Sequence, residues 1–169
     1  MAYKMFFDES KCVACGTCTV ACMDQWDIDV DQDVPYRRVV THEVVKDKET
    51  KIVYASISCM HCKEAVCINT CPKKCFSKDC NTGLVILDNT NCIGCHQCNE
   101  ACSLRAIGFR KDGKASKCNG CLERLEFGLR PACEKACQNN AITFQYVEDI
   151  KDAGANQDEV EKISQILDI

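Results

Sequence analysis

The sequence predicts an α+β chain of short strands and short helices. They form two pseudo-symmetric units, one nested inside the other in sequence, with an added hairpin and a C-terminal helix. Three observations carry this expectation. Cysteine accounts for 18 of 169 residues. Most of these thiols fall into four groups of four, and a short motif recurs after three of the groups, each time leading into a β-rich stretch. The apolar fraction of 46% includes the cysteines; without them about 35% remains, a thin supply for an ordinary core. Something other than side chains must help to fill the interior.

The first group is Cys12, Cys15, Cys18 and Cys22, spaced C-x2-C-x2-C-x3-C. The second, Cys59, Cys62, Cys67 and Cys71, is spaced C-x2-C-x4-C-x3-C and is followed by Pro72. Cys92, Cys95, Cys98 and Cys102 repeat the first spacing, and Cys118, Cys121, Cys133 and Cys137 form a C-x2-C-x11-C-x3-C variant. CPKKCF (71–76), CSLRAI (102–107) and CQNNAI (137–142) share a cysteine, three residues, a small residue and an apolar one. Strand candidates follow at GLVIL (83–87), AIGFR (106–110) and AITFQY (141–146). Cys75 takes the place that Ala106 and Ala141 hold, so it reads as a buried small residue rather than a ligand. Cys80, beside the NTG turn (81–83), reads as exposed.

Between groups one and two, the β-rich stretches YRRVVTHEVV and KIVYASIS flank KDKET and predict a hairpin near 36–57. DG at 112–113 marks another turn. Short helices are expected to start within the cysteine groups, at TVACMDQW and LERLEFG. The tail, 148–169, has no cysteine and is acidic (Glu148, Asp149, Asp152, Asp158, Glu159, Glu161, Asp168). Val160, Ile163 and Leu167 recur at helical spacing, with Asp158 and Glu159 suited to a helix N-terminus. The simplest expectation is an amphipathic helix packed on its own chain; docking a partner is the alternative.

Three chemistries compete for the thiols. Disulfides between adjacent C-x2-C pairs would close only short loops, and the start MAYKMFFDESKC is no secretory signal. The expected compartment is therefore the cytoplasm, although export with a signal-bearing partner is open. Zinc usually takes two C-x2-C pairs separated by a longer loop, which only the fourth group resembles. The C-x2-C-x2-C-x3-C run instead wraps three cysteines around three corners of an iron-sulfur cube and sends the fourth, leaving on a helix, to a neighbouring cluster. Four [4Fe-4S] clusters are expected, with Gly16, Gly94 and Gly120 letting backbone N–H groups turn towards the sulfurs. Groups two and three, separated by a short hairpin as in a two-cluster bacterial ferredoxin, form a central unit (49–109). Groups one and four form an outer unit from 1–48 and 110–147.

The order, spacing and intervening residues of CMHCKEAVCINTCP, CIGCHQCNEAC and KCNGCLERLEFGLRPACEKACQNNAI resemble the four-cluster iron-sulfur subunits of molybdo- and tungsto-pterin oxidoreductases, the DMSO reductase iron-sulfur subunit type. The resemblance covers about residues 8–146. It implies crossed ligation: Cys12, Cys15 and Cys18 share a cluster with Cys137, and Cys118, Cys121 and Cys133 share one with Cys22. Cys59, Cys62 and Cys67 go with Cys102, and Cys92, Cys95 and Cys98 go with Cys71. The chain departs from the usual pattern in having Ser103 and Gln138, not proline, after groups three and four.

The resemblance further implies an electron-transfer subunit with no catalysis of its own. One partner would be a large molybdenum- or tungsten-pterin catalytic subunit. A further redox partner would be a membrane anchor, a hydrogenase, a flavoprotein, a ferredoxin or another copy of the chain. The alternatives are a free polyferredoxin or, in another class, a zinc- or disulfide-held interaction module.

The remaining residues add little. No Ser-His-Asp pattern, phosphate loop or carboxylate pair points to catalysis. A net charge of -4 argues against a nucleic-acid partner, and no apolar run is long enough for a direct membrane span. His61 and His96 lie in cysteine loops that already hold four thiols, so they read as supporting or solvent-facing residues. His42 reads as a surface residue and Trp26 as a core anchor, with an electron route as the alternative. Arg37 and Arg38 read as a solvated pair that could meet a partner.

Overall fold

Strand β1 (Ala2–Phe7) pairs antiparallel with β8 (Ile142–Val147), in register from Ala2 opposite Val147 to Phe7 opposite Ile142. The computed structural model describes residues 2–46 and 48–166. Asp47 of the hairpin turn, and Leu167 and Asp168 of the tail, lie outside the described residues. β1 had no counterpart among the sequence expectations. Its partner strand is far away in the chain, so no local pattern announces it.

Helix α1 (Thr17–Gln25) starts inside the first cysteine group, two residues before the expected TVACMDQW. Gly16, in the left-handed region at φ 75°, sets that start and places Cys18 and Cys22 on one buried face, one turn apart. Next comes the hairpin of β2 (Arg37–Lys46) and β3 (Glu49–Ser58), paired from Arg37 opposite Ser58 outwards. Its root is deeply buried at Ala55–Ser58, whereas Glu49–Ile52 are exposed.

The middle of the chain alternates very short elements. Helix α2 (Val66–Thr70) precedes the ribbon of β4 (Phe76–Lys78) and β5 (Val85–Leu87). Helix α3 (Gln97–Glu100) precedes the ribbon of β6 (Gly108–Phe109) and β7 (Ala115–Ser116). Helices α4 (Leu122–Glu126) and α5 (Ala132–Ala136) then lead into β8, and α5 packs beside α1. The strands begin one or two residues later than the β-rich runs suggest. Ahead of β4, β6 and β8 stands a recurring turn: Lys74, Arg105 and Asn140 each adopt positive φ and donate to the carbonyl three residues back, on Cys71, Cys102 and Cys137. The small residue that follows, Cys75, Ala106 or Ala141, is buried each time.

The tail packs on its own chain. Ala153, Gly154 and Ala155 are buried against the second cysteine loop, with Ala155 N donating to Met60 O and Lys63 N to Ala155 O. Helix α6 (Gln157–Ile166) follows. It opens on a reciprocal cap in which Glu159 N donates to Asn156 Oδ1 and Asn156 N to Glu159 Oε2. Val160 and Ile163 enter the core, and Lys4 on β1 bridges to Glu159 at 2.8 Å.

Cysteines are core members throughout. One apolar cluster joins Met5, Ile57, Leu104, Ile142, Val160 and Ile163 to Cys18 and Cys133. The other joins Phe76, Val85, Ile107 and Ala115 to Cys67, Cys75 and Cys98. Among the described residues no helix is long and apolar enough to cross a membrane.

Candidate iron-sulfur centres

Each C-x2-C pair closes on the same backbone turn. Its third residue, Ala14, His61, Gly94 or Gly120, has positive φ. In the two tight runs a second left-handed residue, Gly16 or His96, caps α1 or α3 just before the third cysteine. Three of these positions are not glycine, so the turn is imposed on Ala14, His61 and His96 at a cost of roughly 1–2 kcal/mol each. Such turns aim successive N–H groups at one point, which suits a bound anion.

In two cavities the thiols of one group are joined by a thiol from another. Cys12, Cys15 and Cys18 line a cavity of about 130 Å3 together with Cys137 from the end of α5. Cys92, Cys95 and Cys98 line a smaller cavity with Cys71 and Cys75. In the interior, the thiols that most perturb Cys22 are Cys133 and Cys121. Those that most perturb Cys67 are Cys59, Cys102 and Cys62. Cys133 and Cys59 are the thiols that most perturb Cys118.

The donors around these sulfurs suit charged thiolates. Backbone N–H groups of Cys75, Ala115, Gly120 and Ala141 donate to the sulfurs of Cys71, Cys92, Cys118 and Cys137 at 3.4, 3.3, 3.2 and 3.3 Å. Thr17 Oγ1 donates to Cys15 Sγ at 3.4 Å, and Ser56 Oγ lies 3.2 Å from Cys18 Sγ. Of the three glycines expected as donors, Gly120 is the one that makes such a bond among these.

Burial acts in the opposite direction. It pushes Cys22 and Cys67 up to about 12 and Cys62 and Cys98 up to about 11, and neighbouring thiolates add to the rise. It also raises Cys121, against hydrogen bonds from the Ala132 backbone and the Trp26 side chain. Four buried thiolates cannot share a site without positive charge between them. An iron core supplies that charge, and its binding releases the protons. Among the described residues no three His, Cys, Asp or Glu side chains converge on a single ion. Donor type, donor number and the ring of N–H groups all fit [4Fe-4S] clusters.

Several expectations about neighbouring residues change. Arg37 is not solvated; it is 2% exposed, because the hairpin root it opens is buried. Arg38 folds back to donate to Leu104 O and Arg105 O. His61 is buried and accepts from Val85 N at 2.9 Å through Nδ1, whereas His96 is exposed and stacks on Phe109 at 3.7 Å. His42 is partly buried. Trp26 is half-buried beside Tyr36, near Cys121. Cys75 is buried and Cys80 exposed. Reasoning from sequence missed Ser56 and Lys117. Lys117 is buried and donates to Val85 O and Cys118 O, and only its place directly before Cys118 could have flagged it.

Comparison with known proteins agrees with this chemistry. Residues 50–147 match the 4Fe-4S dicluster domain family, and residues 3–24 match a 4Fe-4S binding domain. The chain is 32% identical over 158 residues to a chain of the anaerobic dimethyl sulfoxide reductase of Escherichia coli K12, covering 88% of this chain and 76% of that one. It is 36% identical over 150 residues to the thiosulfate reductase electron transfer subunit of Salmonella typhi, covering 84% and 74%. To a subunit of the tetrathionate reductase of Salmonella typhimurium it is 32% identical over 158 residues, covering 89% and 59%.

Proposed function

The chain belongs to the 4Fe-4S dicluster family of reductase iron-sulfur subunits, and from that premise we propose that it is the non-catalytic electron relay of a reductase complex. Each bound cluster supplies one-electron chemistry. The work of the protein is to hold four of them in a dry, ordered chain. The ligand sets are Cys12, Cys15, Cys18 and Cys137; Cys22, Cys118, Cys121 and Cys133; Cys59, Cys62, Cys67 and Cys102; and Cys71, Cys92, Cys95 and Cys98. The first two sets make an outer unit from the chain's ends, and the last two make a central unit nested within it.

The observation that carries this reading is the exchange of thiols between groups. Cys137, on the far side of the chain in sequence, lines the same cavity as Cys12, Cys15 and Cys18. The proximity of Cys118 to Cys59 supports an order in which the outer and central units meet through their inner clusters.

One end of the relay meets a large catalytic subunit carrying a molybdenum or tungsten pterin. The other meets a second redox partner: a membrane anchor, a hydrogenase, a flavoprotein, a ferredoxin or another copy of the chain. The relatives are named as components of reductases, which supports the first partner. Anaerobic purification from native cells tests the proposal. About sixteen iron and sixteen sulfide per chain are expected, together with a large pterin subunit at fixed stoichiometry. A clean monomer would sink the complex, and a colourless zinc protein would sink the clusters.

A further inference from the structure

Arg37 has no carboxylate within salt-bridge distance among the described residues, although it is almost completely buried. Its guanidinium donates from Nη1 to Ser56 O and Ser56 Oγ at 3.1 and 3.0 Å, and from Nη2 to Ser58 Oγ and Met5 Sδ at 2.7 and 3.2 Å. These partners are all neutral. A buried cation without a counter-charge costs several kcal/mol, and a guanidinium does not escape by losing its proton.

The counter-charges are sulfurs. The guanidinium lies among the thiols of Cys133, Cys118, Cys18 and Cys22, which carry negative charge once they hold a cluster. Cys18 belongs to the Cys12 set, and the other three belong to the Cys22 set. Ser56 Oγ connects the two halves of this arrangement, since it accepts from Arg37 and lies 3.2 Å from Cys18 Sγ. The neighbouring Arg38 is different. It is turned to the carbonyls of Leu104 and Arg105, and only the Cys102 thiolate opposes the lowering of its pKa by burial.

We propose that Arg37 is a positioning residue for electron transfer, the fixed counter-cation shared by the two clusters of the outer unit, and that it raises the reduction potentials of both. This rests on the crossed ligand sets proposed above. With a [4Fe-4S] cluster held by these thiolates, one-electron transfer from the neighbouring cluster, without a proton, would make the acceptor site more negative by one charge and the donor site less negative by one. A fixed positive charge favours the more negative state. The thiols printed against Arg37 belong to these two clusters, so its effect is expected to be largest on the outer pair.

The test is an anaerobic redox titration followed by EPR on the wild type and on Arg37→Gln, Arg37→Lys and Arg38→Gln. Arg37→Gln is expected to lower the midpoints of two of the four clusters by tenfold or more in equilibrium constant, about 59 mV for one electron. Arg37→Lys should return both to within about twofold, and Arg38→Gln should leave that pair in place. Unmoved midpoints in Arg37→Gln, or movement of one cluster alone, would overturn the inference. If Arg37→Gln fails to load iron, Arg37→Lys decides: midpoints near wild type support the role of charge, and a tenfold shift contradicts it. Failure of the underlying reading is visible separately, as fewer than four clusters in the wild type.

Discussion

The Asp8 backbone N–H donates to Ala141 O at 2.8 Å, fastening the start of the first cysteine loop to the end of the last. The bond continues the β1–β8 ladder by one step beyond Phe7 and Ile142. Two loops that must present thiols to one cavity are thereby held by backbone geometry as well as by whatever the thiols bind. The N-terminal strand is a clamp on the site.

The clamp depends on Met5, which is 3% exposed and lies between Arg37 and the apolar cluster. Met5→Ala is expected to lower unfolding stability by about 3 kcal/mol through the lost side chain and the cavity left behind. A denaturant titration under anaerobic conditions should show a lower midpoint with an unchanged slope. A change within about 0.5 kcal/mol would mean that the clamp carries little.

Gly154 is held at φ 78° with its Cα against the backbone of His61 and Cys62, so a Cβ there has no room. Gly154→Ala should release the tail from the second cysteine loop and destabilise the fold by more than the ~1–2 kcal/mol of a left-handed alanine alone. Gly128, at φ 68° with nothing near its missing Cβ, is the matched control and should show only that smaller cost. Equal losses at the two positions would refute the docking role of Ala153–Ala155.

Cys75 and Cys71 separate structural from ligating thiols. Cys75 occupies the buried position that Ala106 and Ala141 share in the repeat. Cys75→Ala should keep about sixteen iron per chain, whereas Cys71→Ala should leave about twelve as one four-iron cluster is lost. Iron analysis with the 400 nm absorbance measures both. Loss of iron from Cys75→Ala would make that residue a ligand.

How much of this was legible in sequence differs from residue to residue. The cysteine spacings predicted the cluster type because ligation to a cube is a local geometric requirement, which the spacing of Cys12, Cys15 and Cys18 within one loop suits. The hairpin was legible because β2 and β3 are long and rich in β-branched residues. β1 was not, since Ala2–Phe7 is a strand only through its pairing with residues at the other end of the chain. Arg37 was read as solvated because arginine usually is; it is buried because the hairpin root it opens packs against distant parts of the chain, which leaves no pattern in a single segment. The recurring left-handed turns at Lys74, Arg105 and Asn140 were not legible, because alternation of apolar residues does not encode them.

The crossing of ligands between groups is the central claim, and Cys22→Ser tests it most directly. Cys22 sits one turn after Cys18 on α1, yet the thiols that most raise its pKa are Cys133 and Cys121. EPR of the reduced variant, compared with Cys137→Ser, reads which cluster each residue completes. Crossed ligation predicts that Cys22→Ser damages the cluster of Cys118, Cys121 and Cys133 and leaves that of Cys12, Cys15 and Cys18 assembled, with Cys137→Ser doing the reverse. Loss of the Cys12 cluster alone in Cys22→Ser would contradict it.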